Sequence, residues 1–161
     1  MSLPTFDIDS EQVAKIRSLD YTMLRPYDIY GRQRLSYGAV PTGTVYAEDD
    51  VIGILKVKKG CRILPGVLFF TALGASITAD VGVVAQDGSG YIDDAGTIAD
   101  DPDFFTSAAI DVSAAGSAAF ADTIAENVGY IFEKDVIVTV TLAGGTPAAT
   151  AIEAMLTYVN D

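Results

Sequence analysis

Five aspartates crowd the segment YIDDAGTIADDPDFF: Asp93, Asp94, Asp100, Asp101 and Asp103. Calcium takes several hard oxygens from one loop, so these residue types suit a divalent-ion site. Their spacing is not that of an EF-hand, and a solvated acidic loop is the plain alternative. Other catalytic chemistry lacks its residues. The chain has no histidine, which removes His-dependent nucleophilic triads and His-based zinc or non-haem iron sites. A carboxylate pair can serve a glycosidase, yet none here is singled out by its surroundings. The glycines form neither GxxxxGK[ST] nor GxGxxG after a strand, so no phosphate cradle is expected. Cys61 is the single cysteine, with no disulfide partner and no second thiol for a metal, and reads as a small buried residue. The residues therefore predict no catalytic group, no cofactor, no metal centre and no enzyme.

The second set of functional residue types serves binding. Residues 21–43, YTMLRPYDIYGRQRLSYGAVPTG, interleave Tyr21, Arg25, Tyr27, Tyr30, Arg32, Arg34 and Tyr37. Tyr and Arg dominate the energetics of protein interfaces because each offers a large flat area with a polar end. These seven residues are the predicted interface, gripping either another protein or a sister protomer. A fold-back of this segment across its own body is the simpler alternative.

Charge divides the chain at the same place. Nine of its ten Lys and Arg lie within the first 62 residues, against eight acidic residues there, whereas residues 63–161 carry fourteen Asp or Glu and only Lys134. The net charge of −12 disfavours nucleic acid and anionic membrane, whose main attraction is for cations. An apolar run at residues 63–79 approaches the length of a membrane span, but Pro65-Gly66 and the β-branched alternation at its end read as strands. The start, MSLPTFDIDSEQ, lacks the basic and apolar parts of a secretory signal, which predicts a chain made and kept in the cytosol.

The elements that position these residues are mostly strands. Asp9 with Gln12 resembles a capping box, and Val13, Ile16 and Leu19 follow at helical spacing, predicting a short helix over residues 10–19. Pro26, Gly31, Gly38, Pro41 and Gly43 then predict an extended arm to residue 42. Strands are expected at 45–47, 51–57, 62–73 bent at Pro65-Gly66, 77–85, 91–92, 104–109, 128–132, 136–142 and 149–159, with a hairpin-turn signal at 86–90. The Ala-, Ser- and Gly-rich stretch 107–121 reads as a strand end and a loop packed through small side chains. The last segment also fits a helix, but its length and the strands before it favour β. The predicted architecture is all-β, an antiparallel β-sandwich of residues 43–161 behind an N-terminal arm of residues 1–42.

The run CRILPGVLFFTALGASITADVGVVAQDGSGYIDD, followed by DFFTSAAIDVSAAGSAAFAD and NVGYIFEKDVIVTVTLAGGTPAATAIEAMLTYV, resembles the capsid decoration or cement proteins of tailed bacteriophages over roughly residues 51–160. The pattern shared is a strand, a Pro-Gly turn, an apolar strand, an alternating strand ending in Asp and Gly, then a Gly-Tyr segment, a β-rich strand and a GGT turn. The resemblance implies a jelly-roll-like sandwich, a homotrimer, and a place on the exterior of the virion head, where such proteins clamp major capsid subunits. The arm is inferred from composition alone. The competing reading is a head-fibre or tail-associated glycan-binding module, for which Tyr91, Phe104 and Phe105 are the available aromatic platform. An internal head-completion or scaffolding role is disfavoured by the acidic body.

Overall fold

The computed structural model describes residues 8–9 and 33–160. The helix expected over residues 10–19 lies outside them, as do Tyr21, Arg25, Tyr27, Tyr30 and Arg32. Among the described residues nine strands follow one another: β1 (Ile8–Asp9), β2 (Gln33–Val40), β3 (Val51–Val57), β4 (Cys61–Phe70), β5 (Thr78–Ala85), β6 (Ile110–Asp111), β7 (Gly116–Phe120), β8 (Val136–Ala143) and β9 (Ile152–Asn160). They form a five-stranded sheet in the order β1-β3-β8-β5-β6 and a four-stranded sheet in the order β2-β9-β4-β7. From β2 onward the chain crosses between sheets at almost every connection, the habit of a jelly roll. All pairings are antiparallel except β1 with β3.

The core is built from one parity of each strand. Side chains alternate across a sheet, so Ala79, Val81, Val83 and Ala85 of β5 and Val136, Val138, Val140 and Leu142 of β8 point inward and are buried. Leu68 and Phe70 of β4 and Ile152, Ala154 and Leu156 of β9 face them from the other sheet. Phe104, Phe105, Phe120, Tyr130 and Phe132 close one end, their ring centroids 5.1 to 6.2 Å apart in tilted or edge-on pairs. Tyr46 is buried, donates its phenol to the Thr150 carbonyl at 2.7 Å, and has its pKa pushed up to about 12 by burial.

Several sequence expectations change. Residues 33–40 are not extended arm but the edge strand β2, in full register with β9 from Gln33↔Val159 to Val40↔Ile152. Gly38 makes this possible: a Cβ there would lie 2.0 Å from the Ile54 carbonyl oxygen of β3, so only glycine lets the two backbones approach so closely. Residues 116–120 form β7 instead of a loop, while 45–47, 104–109 and 128–132 form no named strand. The turn after Ala85 is present, with Gly88 N–H donating to the Ala85 carbonyl at 3.1 Å. The returning partner is Asp101 on Val83 and Phe105 on Val81, however, and not residues 91–92. Residues 63–79 are β4 with a bulge between Ile63 and Gly66, then a loop into β5. Among the described residues no helix is long and apolar enough to cross a membrane.

The approach at Gly38 is directly testable. Gly38→Ala forces a methyl against a backbone oxygen that cannot rotate away, and overpacking of this kind costs about 1–3 kcal/mol. Differential scanning calorimetry should show the unfolding midpoint lowered by roughly 2–12 °C. Removal of β2 is expected to be worse. A chain starting at residue 33 should unfold cooperatively, whereas one starting at residue 43 leaves the edge of β9 unpaired and should aggregate during size-exclusion chromatography.

Candidate interaction surface

The two sheets differ in what lies on their outer faces. On the five-stranded sheet, Ile137 and Thr139 of β8 point outward yet are only 1% and 0% exposed. The neighbouring Gly82 is also covered, since a Cβ there would lie 2.3 Å from the Asp101 oxygen and the Pro102 carbonyl carbon of the crossing loop. The outer face of the four-stranded sheet is open. Leu35 is 58% exposed, Tyr37 51% and Phe69 38%, with half-buried Val67, Met155 and Val159 between them and exposed Ala119 at the far side.

Strand register arranges these side chains in rows. Tyr37, Met155, Val67 and Ala119 lie side by side across β2, β9, β4 and β7. Ala39, Glu153, Phe69 and Ser117 form the next row, and Leu35 lies beside Thr157 on the other side of the first. Only two charged residues, Glu153 and Arg62, stand on this face of a chain whose net charge is −12. The Tyr37 phenol hydrogen-bonds to Glu153, and this bond raises its pKa, with burial and the carboxylate charge adding to the shift. The phenol is therefore neutral at any physiological pH and keeps the row uncharged.

Of the seven predicted interface residues, the two within the described residues are separated by this geometry. Tyr37 lies on the open face. Arg34, three residues earlier in the same strand, points to the opposite side, where it sits across from Tyr158 and hydrogen-bonds to its phenol. Leu35, Val67, Phe69, Met155 and Val159 were not singled out by sequence. Their signal was present: VLFF in β4 and AMLTYV in β9 are apolar at both parities, whereas a strand with one solvated face alternates apolar with polar.

The acidic loop does not gather its carboxylates. Asp93 is buried and accepts from the amides of Thr97 and Ile98 at 2.9 Å each and from the Thr97 hydroxyl. Asp100 accepts from the Ala85 amide at 2.8 Å, Asp94 pairs with Lys59 at 2.6 Å, and Asp101 shares a hydrogen bond with Asp103. Each carboxylate thus fixes a different stretch of backbone or a different partner. Among the described residues no three His, Cys, Asp or Glu side chains converge as a metal ion needs. A charged cleft of about 330 Å³ lies beside this loop; its lysines are paired, Lys59 with Asp94 and Lys134 with Asp87, while the buried Gln86 Oε1 that lines it has no hydrogen-bond partner. Lys134 reaches Ser89 Oγ at 3.0 Å and the Tyr91 carbonyl at 3.1 Å, while Glu133 accepts from the Asp94 amide at 3.0 Å.

The aromatic platform a glycan would need is not assembled either. Phe104 and Phe105 are 7% and 0% exposed within the core cluster, which leaves Tyr91 without them at the surface.

No protein-family model matches the chain, and no curated protein matches it by sequence. Its fold is that of chains in three phage capsids. A chain of the capsid of Ralstonia phage GP4 is similar with a TM-score of 0.65 and 21% identity, over 86% of this chain and 91% of that one. A chain of the cyanophage Pam1 capsid asymmetric unit gives a TM-score of 0.54 and 17% identity over 84% and 89%. A chain of the acid-stable capsid of Helicobacter pylori bacteriophage KHP30 gives 0.50 and 12% over 81% and 89%. At these identities the likeness is one of fold, and it runs through nearly the whole length of each chain.

The Asp93 turn yields a pH prediction. Hydrogen bonds, that of Thr97 first, hold its pKa at about 2, below the ~3.9 of an unfolded aspartate. The carboxylate therefore stabilises the fold above about pH 4, and this contribution is lost as pH falls from 4 towards 2. Asp93→Asn should unfold at a lower temperature than wild type at pH 7, and thermal scans should find the two midpoints converging as pH approaches 2.

Proposed function

We propose that this protein is a non-enzymatic structural component of a tailed-phage virion, a decoration or cement protein that binds the outside of the head and stabilises contacts between major capsid subunits. The observation that carries the reading is the fold shared with chains of three phage capsids at similar chain length. It is supported by an outer sheet face with exposed Leu35, Tyr37 and Phe69, and by catalytic chemistry that lacks its residues.

The assembled form is a homotrimer. Many copies on a repeated lattice bind by avidity, so each contact with the head can be weak and the coat still hold. Residues 1–42 carry the Tyr- and Arg-rich segment, whose last eight-residue stretch, β2, belongs to the sheet. Tyr21, Arg25, Tyr27, Tyr30 and Arg32 precede that strand, where they serve contacts with the capsid or a sister protomer. The acidic body stands towards solvent, away from packaged DNA, whose phosphates it would repel.

The test uses heads of the phage that carries this chain, stripped of it. The purified protein should run in light scattering at about three times its 16.9 kDa chain mass, sediment with the heads, and raise the temperature at which they release DNA. A protein that remains in the supernatant at saturating concentration, with no change in head stability, overturns the reading.

A further inference from the structure

The open face of the four-stranded sheet has an occupant that its size and charge select. We infer that Leu35, Tyr37, Val67, Phe69 and Met155 form the surface that docks on the head, and that the occupant is an apolar area of the major capsid subunits carrying no excess negative charge. This rests on the reading of the protein as a head-binding virion component.

Three observations argue for that partner over a second copy of the chain. The face spans four strands at ~4.8 Å spacing and about six residues at ~3.3 Å, roughly 400 Å². A stable protein pair buries roughly 800 Å² on each partner, so two free copies stacked here would hold weakly. A lattice partner overcomes the same shortfall, because each assembled unit presents several such faces to a repeating surface.

Charge points the same way. The face itself carries one charge of each sign, Glu153 and Arg62, but residues 63–161, which supply most of the body around it, hold fourteen carboxylates against Lys134 alone. Two copies brought face to face would set these acidic bodies against each other, whereas a neutral or basic shell surface meets an apolar centre with Glu153 at one side.

Symmetry supplies the third argument. A flat face stacked on its own copy makes a two-fold, isologous contact, which closes a dimer and leaves a three-fold assembly to use other surfaces. In a trimer this face is therefore still open. A continuous apolar row, Tyr37, Met155, Val67 and Ala119, with Leu35 and Phe69 on either side, is otherwise unexplained on the outside of an antiparallel sandwich, whose exposed parity is ordinarily polar.

The experiment compares Leu35→Lys and Val67→Lys with a charge-matched control, Ile124→Lys, at a side chain 91% exposed on the 3₁₀ turn Ile124–Glu126, outside the strands that form the face. Leu35 is on an edge strand and more than half exposed, so its replacement should leave the fold intact, as circular dichroism and native mass will report. Co-sedimentation with stripped heads should show wild type and Ile124→Lys binding alike, and each face variant binding at least tenfold more weakly. Equal binding by all four proteins overturns this inference while leaving the head-binding reading in place. Failure of the wild type to bind heads overturns that reading first, and this inference with it. A drop in native mass of the face variants relative to wild type identifies a second copy as the occupant and also overturns the inference.

Discussion

Side chains along a strand fall on two faces, and β4 and β9 are apolar on both. That single constraint of period two organises the rest of the molecule. The inward parity, Leu68 and Phe70 with Ile152, Ala154 and Leu156, supplies half of the core. The outward parity, Val67 and Phe69 with Met155 and Val159, meets only its cross-strand neighbours and stays half-buried or exposed. Fixing the inner set fixes the outer set, because a register slip by one residue would exchange them. The exposed apolar face is therefore inseparable from the core.

Glycine and the crossing loop decide which outer face stays open. The loop that carries Asp101 and Pro102 lies across Gly82 of β5 and runs back along that strand's free edge, bonded to Val83 and Val81. It covers that sheet's outer face at Gly82 and protects part of the strand's edge at once. The Asp93 turn stiffens the start of the same loop, and burial raises the pKa values of Asp80, Asp100 and Asp101 nearby. These shifts oppose that of Asp93 in sign. Protonation of the raised group at mildly acid pH favours the fold, while protonation of Asp93 below about pH 4 disfavours it.

Much of this was legible in the residues. β3, β5 and β8 announced themselves by apolar and β-branched residues, and the ambiguous last segment is the strand β9 because β2 and β4 flank it on both sides. β2 was hidden because its inward positions are Arg34, Ser36, Gly38 and Val40, of which only Val40 is apolar and Gly38 is held to glycine by the nearness of β3, so no apolar period was visible. β7, GSAAF, was hidden for a similar reason: its partner β4 brings the bulk, and Gly66 leaves the space that the Phe120 ring occupies. Phe104 and Phe105 read as strand, yet both enter the core from a turn. Of the predicted interface, Tyr37 reached the open face and Arg34 did not, because neighbours three apart in a strand cannot share a side.

The position of β9 in the chain has a consequence for biosynthesis. It lies between β2 and β4 in space but follows both in sequence, with more than a hundred residues separating Tyr37 from its partner Met155. While the polypeptide is emerging, β2 and β4 have no shared neighbour, and the apolar rows do not yet exist as a surface. The sheet closes only after the ribosome has delivered residues 152–160, so the apolar outer face is assembled no earlier than the sandwich beneath it.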